Sequence, residues 1–450
     1  MGRLFGTDGV RGVANELLTC ELALKIGRAA ALILTNSTRG LPKILIGKDT
    51  RISCDMLEGA LSAGLCSVGA DVLLIGVVPT PAVAYLVGKY KCDAGIMISA
   101  SHNPCEYNGI KIFSGDGYKL PDALEEQIEA LVLDDAIVPD LPTGGAIGHV
   151  SRSESAAEDY IDHVKSTVPF PLDGLRIALD CSNGSASETA EHLFAALGAE
   201  CHMLHNTPDG VNINQNCGST HMETLQSYVV EHGLDAGMAF DGDADRCLAV
   251  DEKGQLVDGD FIMAILAADM KSRGKLNKNT AVGTIMTNLG FIRFCEENGL
   301  HFVATKVGDR YVLEEMLLEQ YNFGGEQSGH VIFLDFATTG DGQLTAAQLL
   351  SLLRRRNAKM SSLATLMERL PQVMINVEVS DEGKLRFYTD RILRDSIEAV
   401  KNELGSTGRI LVRCSGTEPL VRVMLEGEDT AQITAIAEHV AAQVRERLAK

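Results

Sequence analysis

The chain has 450 residues, of which 45% are hydrophobic, and a formal net charge of −21. Its length exceeds the usual single core, so several domains are expected, and its acidity argues against nucleic acid or an anionic membrane surface as the main partner. No apolar run reaches membrane-span length, the start MGRLFGTDGVRG lacks a signal-peptide core, and the 11 scattered cysteines form no C-x-x-C pair, which together predict a cytoplasmic protein with reduced thiols.

Along the chain, PKILIG (42–47) reads as a strand, Met56 to Val68 as a helix capped by Gly69, and ADVLLIG (70–76) as a second strand. The same order recurs as LRIALD (175–180), a helix near Glu188–Leu197, Gly198 and AECHML. It recurs again as AVGTI (281–285), a helix near Leu289–Asn298, Gly299 and LHFVAT. Each is a βαβ crossover, which implies a parallel sheet covered by helices. Three copies at domain-sized intervals predict an α/β fold of three related domains with mixed, largely parallel sheets. The last stretch differs. VMINVEVS (373–380), a helix over Asp395–Leu404, the strands ILVRCSG and LVRVMLEG, and a helix from Thr430 to Leu448 predict a smaller α+β domain with antiparallel pairing. The Pro/Gly-rich segment 139–149, Asp251–Gly259 and Pro371 suggest domains at 1–150, 151–255, 256–370 and 371–450. Arg354–Arg356 is expected to be a solvated helix end.

Four clusters stand out against this scaffold. In GIMISASHNPCEYNGIKIF (95–113) an apolar strand stops at Ser-Ala-Ser-His-Asn-Pro. Asn-Pro and Asn-Gly alone would make a turn, but a turn needs neither His102 nor two serines, and Lys111 follows on an otherwise apolar strand. The stretch could equally present a nucleophilic hydroxyl at a strand end. In FDGDADR (240–246), Asp241, Asp243 and Asp245 can converge on a hard cation such as Mg²⁺ or Ca²⁺. With Glu252 they also fall on positions 1, 3, 5 and 12 of an EF-hand loop, but Arg246 stands where that loop needs glycine and the flanks read as strands. A turn-capping aspartate loop is the other alternative, although three clustered carboxylates repel without a cation.

In YNFGGEQSGHVIF (321–333) glycines hold Glu326, Ser328 and His330 out between two apolar segments, as a hairpin loop or as contacts to sugar hydroxyls or an amine. In RILVRCSGTEPLVRVM (409–424), Arg413, Ser415, Gly416, Thr417 and Arg422 offer guanidinium, hydroxyl and backbone N–H donors. These could grip a phosphate or form a hairpin whose arginines pair with surface carboxylates. A hydroxyl nucleophile, a cation site, sugar-like contacts and a phosphate clamp, one from each domain, are the parts that phosphoryl transfer on a phosphosugar would use.

From FGTDGVRG (5–12) through SASHNP, DGDADR and GGEQSGH to RCSGTEP (413–419), the chain resembles the α-D-phosphohexomutases over essentially its whole length. FGTDGVRG and GEQSG point to the glucosamine branch of that superfamily, and Cys105 and Cys414 occupy variable spots. The resemblance implies four domains in a heart-shaped molecule with a central cleft. It makes Ser101 a phosphoserine, with one Mg²⁺ per subunit held by Asp241, Asp243, Asp245 and a Ser101 phosphate oxygen. Lys111, Arg246 and Arg11, with His102 beside the serine, would act at the transferring group. Glu326, Ser328, His330 and Asp309 would meet the sugar, and Arg413, Ser415, Gly416, Thr417 and Arg422 the phosphate that is not reacting. The implied reaction interconverts glucosamine 6-phosphate and 1-phosphate through a 1,6-bisphosphate, with glucosamine or glucose 1,6-bisphosphate as activator. It would feed UDP-N-acetylglucosamine and cell-wall synthesis. The partner is then a phosphosugar, with neither nucleic acid nor membrane, and a homodimer is compatible. The rival readings are a phosphomannomutase/phosphoglucomutase, a phosphatase, or a calcium-binding regulatory protein.

Overall fold

The computed structural model describes residues 4–6, 8–34, 42–134, 141–415 and 419–448. The chain divides into two compact units, Met1–Met286 with Leu300–Leu366, and Thr287–Gly299 with Met367–Lys450.

In the first unit, strands β1 (Val10–Val13), β2 (Lys43–Lys48), β3 (Asp71–Val77), β4 (Ala94–Ile98), β5 (Tyr107–Ser114) and β6 (Val150–Arg152) form a sheet of order β1-β5-β4-β2-β3-β6. A second sheet joins β7 (Arg176–Asp180), β8 (Glu200–Leu204), β9 (Ala236–Phe240), β10 (Cys247–Asp251) and β11 (Leu256–Val257) in the order β11-β10-β9-β7-β8. A third joins β12 (Thr280–Thr284), β13 (His301–Thr305), β14 (Phe323–Gly325) and β15 (Val331–Phe333) in the order β13-β12-β14-β15. The three crossovers predicted from the sequence are β2–β3, β7–β8 and β12–β13, each parallel. Their helices are Ser53–Ser67, Ala190–Ala196 and Leu289–Glu297. The middle helix is shorter than expected because Ser185–Glu188 forms a separate 3₁₀ turn before it. Apolar strands such as β2, with Ile44 and Ile46 buried, pack against Leu57, Leu61 and Leu65 of the first crossover helix.

The resemblance among the sheets goes further than the crossovers. In each, the first crossover strand pairs in parallel with a strand that begins an antiparallel hairpin: β4–β5, β9–β10 and β14–β15. The first three polar clusters lie in the turns of these three hairpins, so one topological position is used three times. Antiparallel edges on a parallel centre make the sheets mixed.

The basic helix end is not simply solvated. Arg355 and Arg356 both reach Asp269, which also holds Arg273 at 2.8 Å, and Arg354 donates to the Asp173 carbonyl. A nearly buried carboxylate gathers these cations, because an unpaired charge there would be costly.

The second unit is built on an antiparallel sheet of β16 (Gln372–Glu378), β17 (Gly408–Cys414) and β18 (Leu420–Gly427), in the order β16-β18-β17. The helices Arg391–Leu404 and Thr430–Leu448 supply Leu393, Val400, Ile433, Val440 and Val444 to a core with Val421 and Val423. The crossover helix Leu289–Glu297 belongs to this unit. Its first N–H donates to the buried Glu426 carboxylate at 2.8 Å, and Arg293 pairs with Glu428 at 2.9 Å. Among the described residues no helix is long and apolar enough to cross a membrane.

Candidate active site

The hairpin turn after β4 carries Ser101, only 1% exposed and with a φ of 52°, a left-handed backbone that few L residues adopt. Its hydroxyl donates to Asp241 Oδ2 at 2.7 Å and lies 3.3 Å from His102 Nδ1. The His102 imidazole is lowered to about 4 by burial and by the neighbouring Arg246 and Arg11. Arg246 Nη1 sits 3.4 Å from the same ring nitrogen.

The turn after β9 brings Asp241, Asp243 and Asp245 together, with oxygens of all three within 4.8 Å of one another. Burial first, then repulsion from Asp245 and Asp243, pushes the Asp241 carboxyl well above the usual carboxylate range. Asp243 goes the other way. Burial opposes its charge, but Lys111 Nζ at 2.8 Å and the Thr80 hydroxyl at 2.6 Å outweigh it and hold the carboxylate low. Asp243 Oδ1 and Asp245 Oδ1 are buried without a hydrogen-bond partner. Buried oxygens left over in a three-carboxylate cluster are what a hard cation would satisfy, so the group can hold a metal. β-strands flank the loop, and Glu252 instead accepts from the Ser361 N–H and hydroxyl, which removes the EF-hand reading.

Asp180, His205 and Cys217 also lie close together. There the Asp180 carboxylate already accepts from the Ser182 and Gly218 N–H groups and pairs with His205, which accounts for the arrangement as a loop anchor.

Cations converge from the first sheet. Lys111, on β5, contacts Asp243 at 2.8 Å, Asp8 at 3.0 Å and Asp245 at 3.6 Å. Despite burial, these carboxylates raise its ammonium pKa strongly. Arg11 pairs with Asp8, and Lys119 spans Asp8 at 2.6 Å and Asp309 at 2.5 Å. Asp309 opens the helix Asp309–Glu319 and faces His330 Nε2 at 3.5 Å, while that nitrogen is 3.9 Å from Asp245. Glu326 accepts from the Gly308 N–H at 3.1 Å, and Ser328 Oγ is buried without a hydrogen-bond partner. Gly329, with φ 91°, lets this third turn lie against the second hairpin. A Cβ there would meet the Cys247 carbonyl oxygen at 2.2 Å. Arg310 turns elsewhere, to Asp122, the Leu120 carbonyl and Glu125.

Thus Ser101, His102, Lys111, Arg11, the three aspartates, Arg246, Asp309, Glu326, Ser328 and His330 belong to one unit, where contacts link the three hairpin turns. Sequence reasoning did not reach Thr80, Lys119, Asp49, Arg51 or Asn214, and Asp8 stood in FGTDGVRG without a role. In the second unit, Arg413 and Arg422 are direct cross-strand partners, and the Ser415 N–H donates to the Leu420 carbonyl. Burial and then Arg422 lower the Arg413 pKa. Gly416 and Thr417 lie outside the described residues.

Family models for phosphoglucomutase/phosphomannomutase alpha/beta/alpha domains I, II and III match residues 2–136, 158–254 and 258–370, and the C-terminal domain model matches 374–443. The chain belongs to the phosphoglucomutase/phosphomannomutase family. It is 54% identical over 448 residues to the phosphoglucosamine mutase of Acetivibrio thermocellus, covering 100% of both chains. It is 53% identical, with the same coverage, to that of Caldanaerobacter subterraneus subsp. tengcongensis. A crystal structure of a family member from Burkholderia thailandensis matches with a TM-score of 0.81 at 25% identity, covering 98% of this chain and 96% of that one. Aspergillus fumigatus N-acetylphosphoglucosamine mutase, solved with GlcNAc-6P and magnesium, matches with a TM-score of 0.69 at 17% identity, over 99% and 96% of the two chains. That likeness concerns the fold.

Proposed function

We propose that the chain interconverts glucosamine 6-phosphate and glucosamine 1-phosphate, as a phosphoglucosamine mutase, with Ser101 as the phosphoryl carrier. The observation that carries this reading is the Ser101 hydroxyl 2.7 Å from Asp241 of the three-aspartate turn, in a chain 54% identical end to end to phosphoglucosamine mutases. On the resemblance, the enzyme works in the cytoplasm, supplies amino-sugar phosphate for UDP-N-acetylglucosamine and carries one Mg²⁺ per subunit.

Phosphoryl transfer asks a protein for positioning and charge neutralisation more than for covalent chemistry of its own. A phosphoserine brings close to two negative charges into a site already holding three carboxylates. Asp241, Asp243 and Asp245 would hold Mg²⁺, which when bound supplies charge compensation to the transferring group. Lys111, Arg246 and Arg11 supply further positive charge from the protein itself. The Ser101 Oγ–P bond breaks as a sugar hydroxyl oxygen forms its own bond to phosphorus. The proton that the sugar hydroxyl gives up is balanced by the one Ser101 Oγ takes on as it leaves, which yields a 1,6-bisphosphate and a free serine hydroxyl. After the bisphosphate turns round, its opposite phosphoryl returns to Ser101 Oγ and the monophosphate isomer leaves.

Glu326, Ser328, His330 and Asp309 orient the sugar. Arg413 and Arg422, with Ser415, Gly416 and Thr417, grip the phosphate that is not reacting. Arg413 and Arg422 stand directly opposite on neighbouring strands, so both guanidinium groups can meet one anion. A trace of glucosamine or glucose 1,6-bisphosphate activates enzyme that has lost its phosphoryl group.

The test is product analysis with Mg²⁺ and glucosamine, glucose or mannose 6-phosphate offered separately. Glucosamine 1-phosphate is expected as the preferred product, with none formed by Ser101→Ala. Faster turnover of the glucose or mannose ester would place the chain with another branch of the family.

A further inference from the structure

Ser101 keeps its left-handed backbone through groups outside the phosphoryl-transfer machinery. One residue beyond β2 stands Asp49, and two further on Arg51, each with a fully buried side chain and 2.9 Å apart. Asp49 accepts the Ser99 hydroxyl at 2.5 Å, and Ser99 Oγ in turn accepts the Ser101 N–H at 3.0 Å. On the other side of the same residue, Arg51 Nη2 donates to the Ser101 and Asn103 carbonyls, each at 2.9 Å, and Nη1 donates to the Pro104 carbonyl. Asn214, from the loop between β8 and β9, donates to the Ser101 and Asn103 carbonyls at 2.9 and 3.0 Å. Both peptide groups flanking the serine are therefore tied to one buried ion pair.

We propose that the Asp49–Arg51 pair, acting through Ser99 and with Asn214, is a positioning device that fixes Ser101 in the left-handed conformation and aims its Oγ at the aspartate turn. The inference rests on the mutase reading given above. A buried ion pair is weak evidence for stability, since apolar residues of similar volume often do as well. What apolar residues cannot do is hold three carbonyls of one turn, those of Ser101, Asn103 and Pro104, a task that suits the fixed fork of a guanidinium. A positive φ away from glycine persists only where the surroundings impose it. Here the imposing groups come from two sheets. The left-handed serine is thus fixed before substrate arrives, and transfer depends on its alignment with the acceptor oxygen.

The experiment uses full-length protein stripped of phosphate. Glucose 1,6-bisphosphate is added, and phosphorylation of Ser101 is followed by rapid quench and intact mass, alongside steady-state kinetics and circular dichroism at the assay temperature. Three variants are compared. Ser99→Ala removes one oxygen of the relay. Asn214→Asp keeps the shape but loses both donors. Arg51→Lys keeps the charge but not the fork.

The inference predicts phosphorylation rates and kcat lowered about 10- to 100-fold in folded protein, with KM for glucosamine 6-phosphate within about twofold of wild type. If Arg51→Lys does not fold, Ser99→Ala and Asn214→Asp decide the matter. Wild-type rates in those folded variants, or a loss matching only the unfolded fraction, would overturn the positioning role while leaving the mutase reading intact. Failure of the wild-type chain to take the phosphoryl group on Ser101 would overturn the mutase reading, and this inference with it.

Discussion

At the scale of single residues, Asp243 serves two partners at once. One oxygen accepts from Lys111 and Thr80, and the other is buried without a hydrogen bond. Asp243→Asn should weaken Mg²⁺ binding and lower turnover by roughly 10²-fold, a loss comparable to removing one preorganised charge-stabilising group. The fold should survive, because Lys111 retains Asp8 at 3.0 Å and Asp245 at 3.6 Å. Calorimetric Mg²⁺ titration beside a turnover assay measures both, and wild-type turnover at limiting Mg²⁺ would remove Asp243 from the metal site. The aspartate turn was legible in the sequence because its three carboxylates alternate within five residues. Thr80 was not, because it meets Asp243 from 163 residues away on a helix whose local pattern signals only packing. Asp49 and Arg51 were hidden likewise, since no local spacing announces that a side chain will bond carbonyls about fifty residues ahead.

Among the elements, the βαβ units were legible from apolar runs and cap-like glycines. The hairpin that follows each carries no such repeating signal in the sequence, because its turns, SASHNPCE, DGDADR and EQSGH, share no common pattern. Seen in the sheets, that repeat explains why the Ser101, three-aspartate and Glu326–His330 clusters all sit between two apolar strands. Loops held by rigid strands are where an α/β scaffold can vary chemistry without disturbing its core.

The second sheet also carries a pH-sensitive anchor. His205 Nδ1 lies 3.0 Å from Asp180 Oδ2, and the hydrogen bond to Asp180, opposed by partial burial, raises the imidazole pKa in the folded chain. A raised histidine contributes stability that is complete below its unfolded value of about 6.5 and lost as pH rises through the folded value. The Tm gap between wild type and His205→Gln should therefore be wider at about pH 5.5 than at about pH 8.5. Thermal melts at the two pH values check this, and a gap that widens with pH would refute the assignment.

For the whole molecule, the division into units shows why one crossover helix was misleading as a sequence feature. Leu289–Glu297 reads as the cover of the third sheet, yet it belongs with the C-terminal unit through Glu426. That carboxylate is fully buried and also holds Arg409 at 2.7 Å and Gln372 at 2.9 Å. Glu426→Ala should cost about 3–5 kcal/mol in this unit, as removal of one partner of a buried pair does. Scanning calorimetry should show an earlier transition, and an unchanged profile would contradict the role given to Glu426.

The central claim, that Ser101 carries the phosphoryl group, is tested most directly by priming. Protein shown by intact mass to lack phosphate should be nearly inert with glucosamine 6-phosphate and Mg²⁺ alone. A trace of glucose 1,6-bisphosphate, in amounts set by the enzyme rather than the substrate, should restore turnover, and Ser101→Ala should stay inactive throughout. Full activity from demonstrably unphosphorylated protein, without any bisphosphate, would contradict the account.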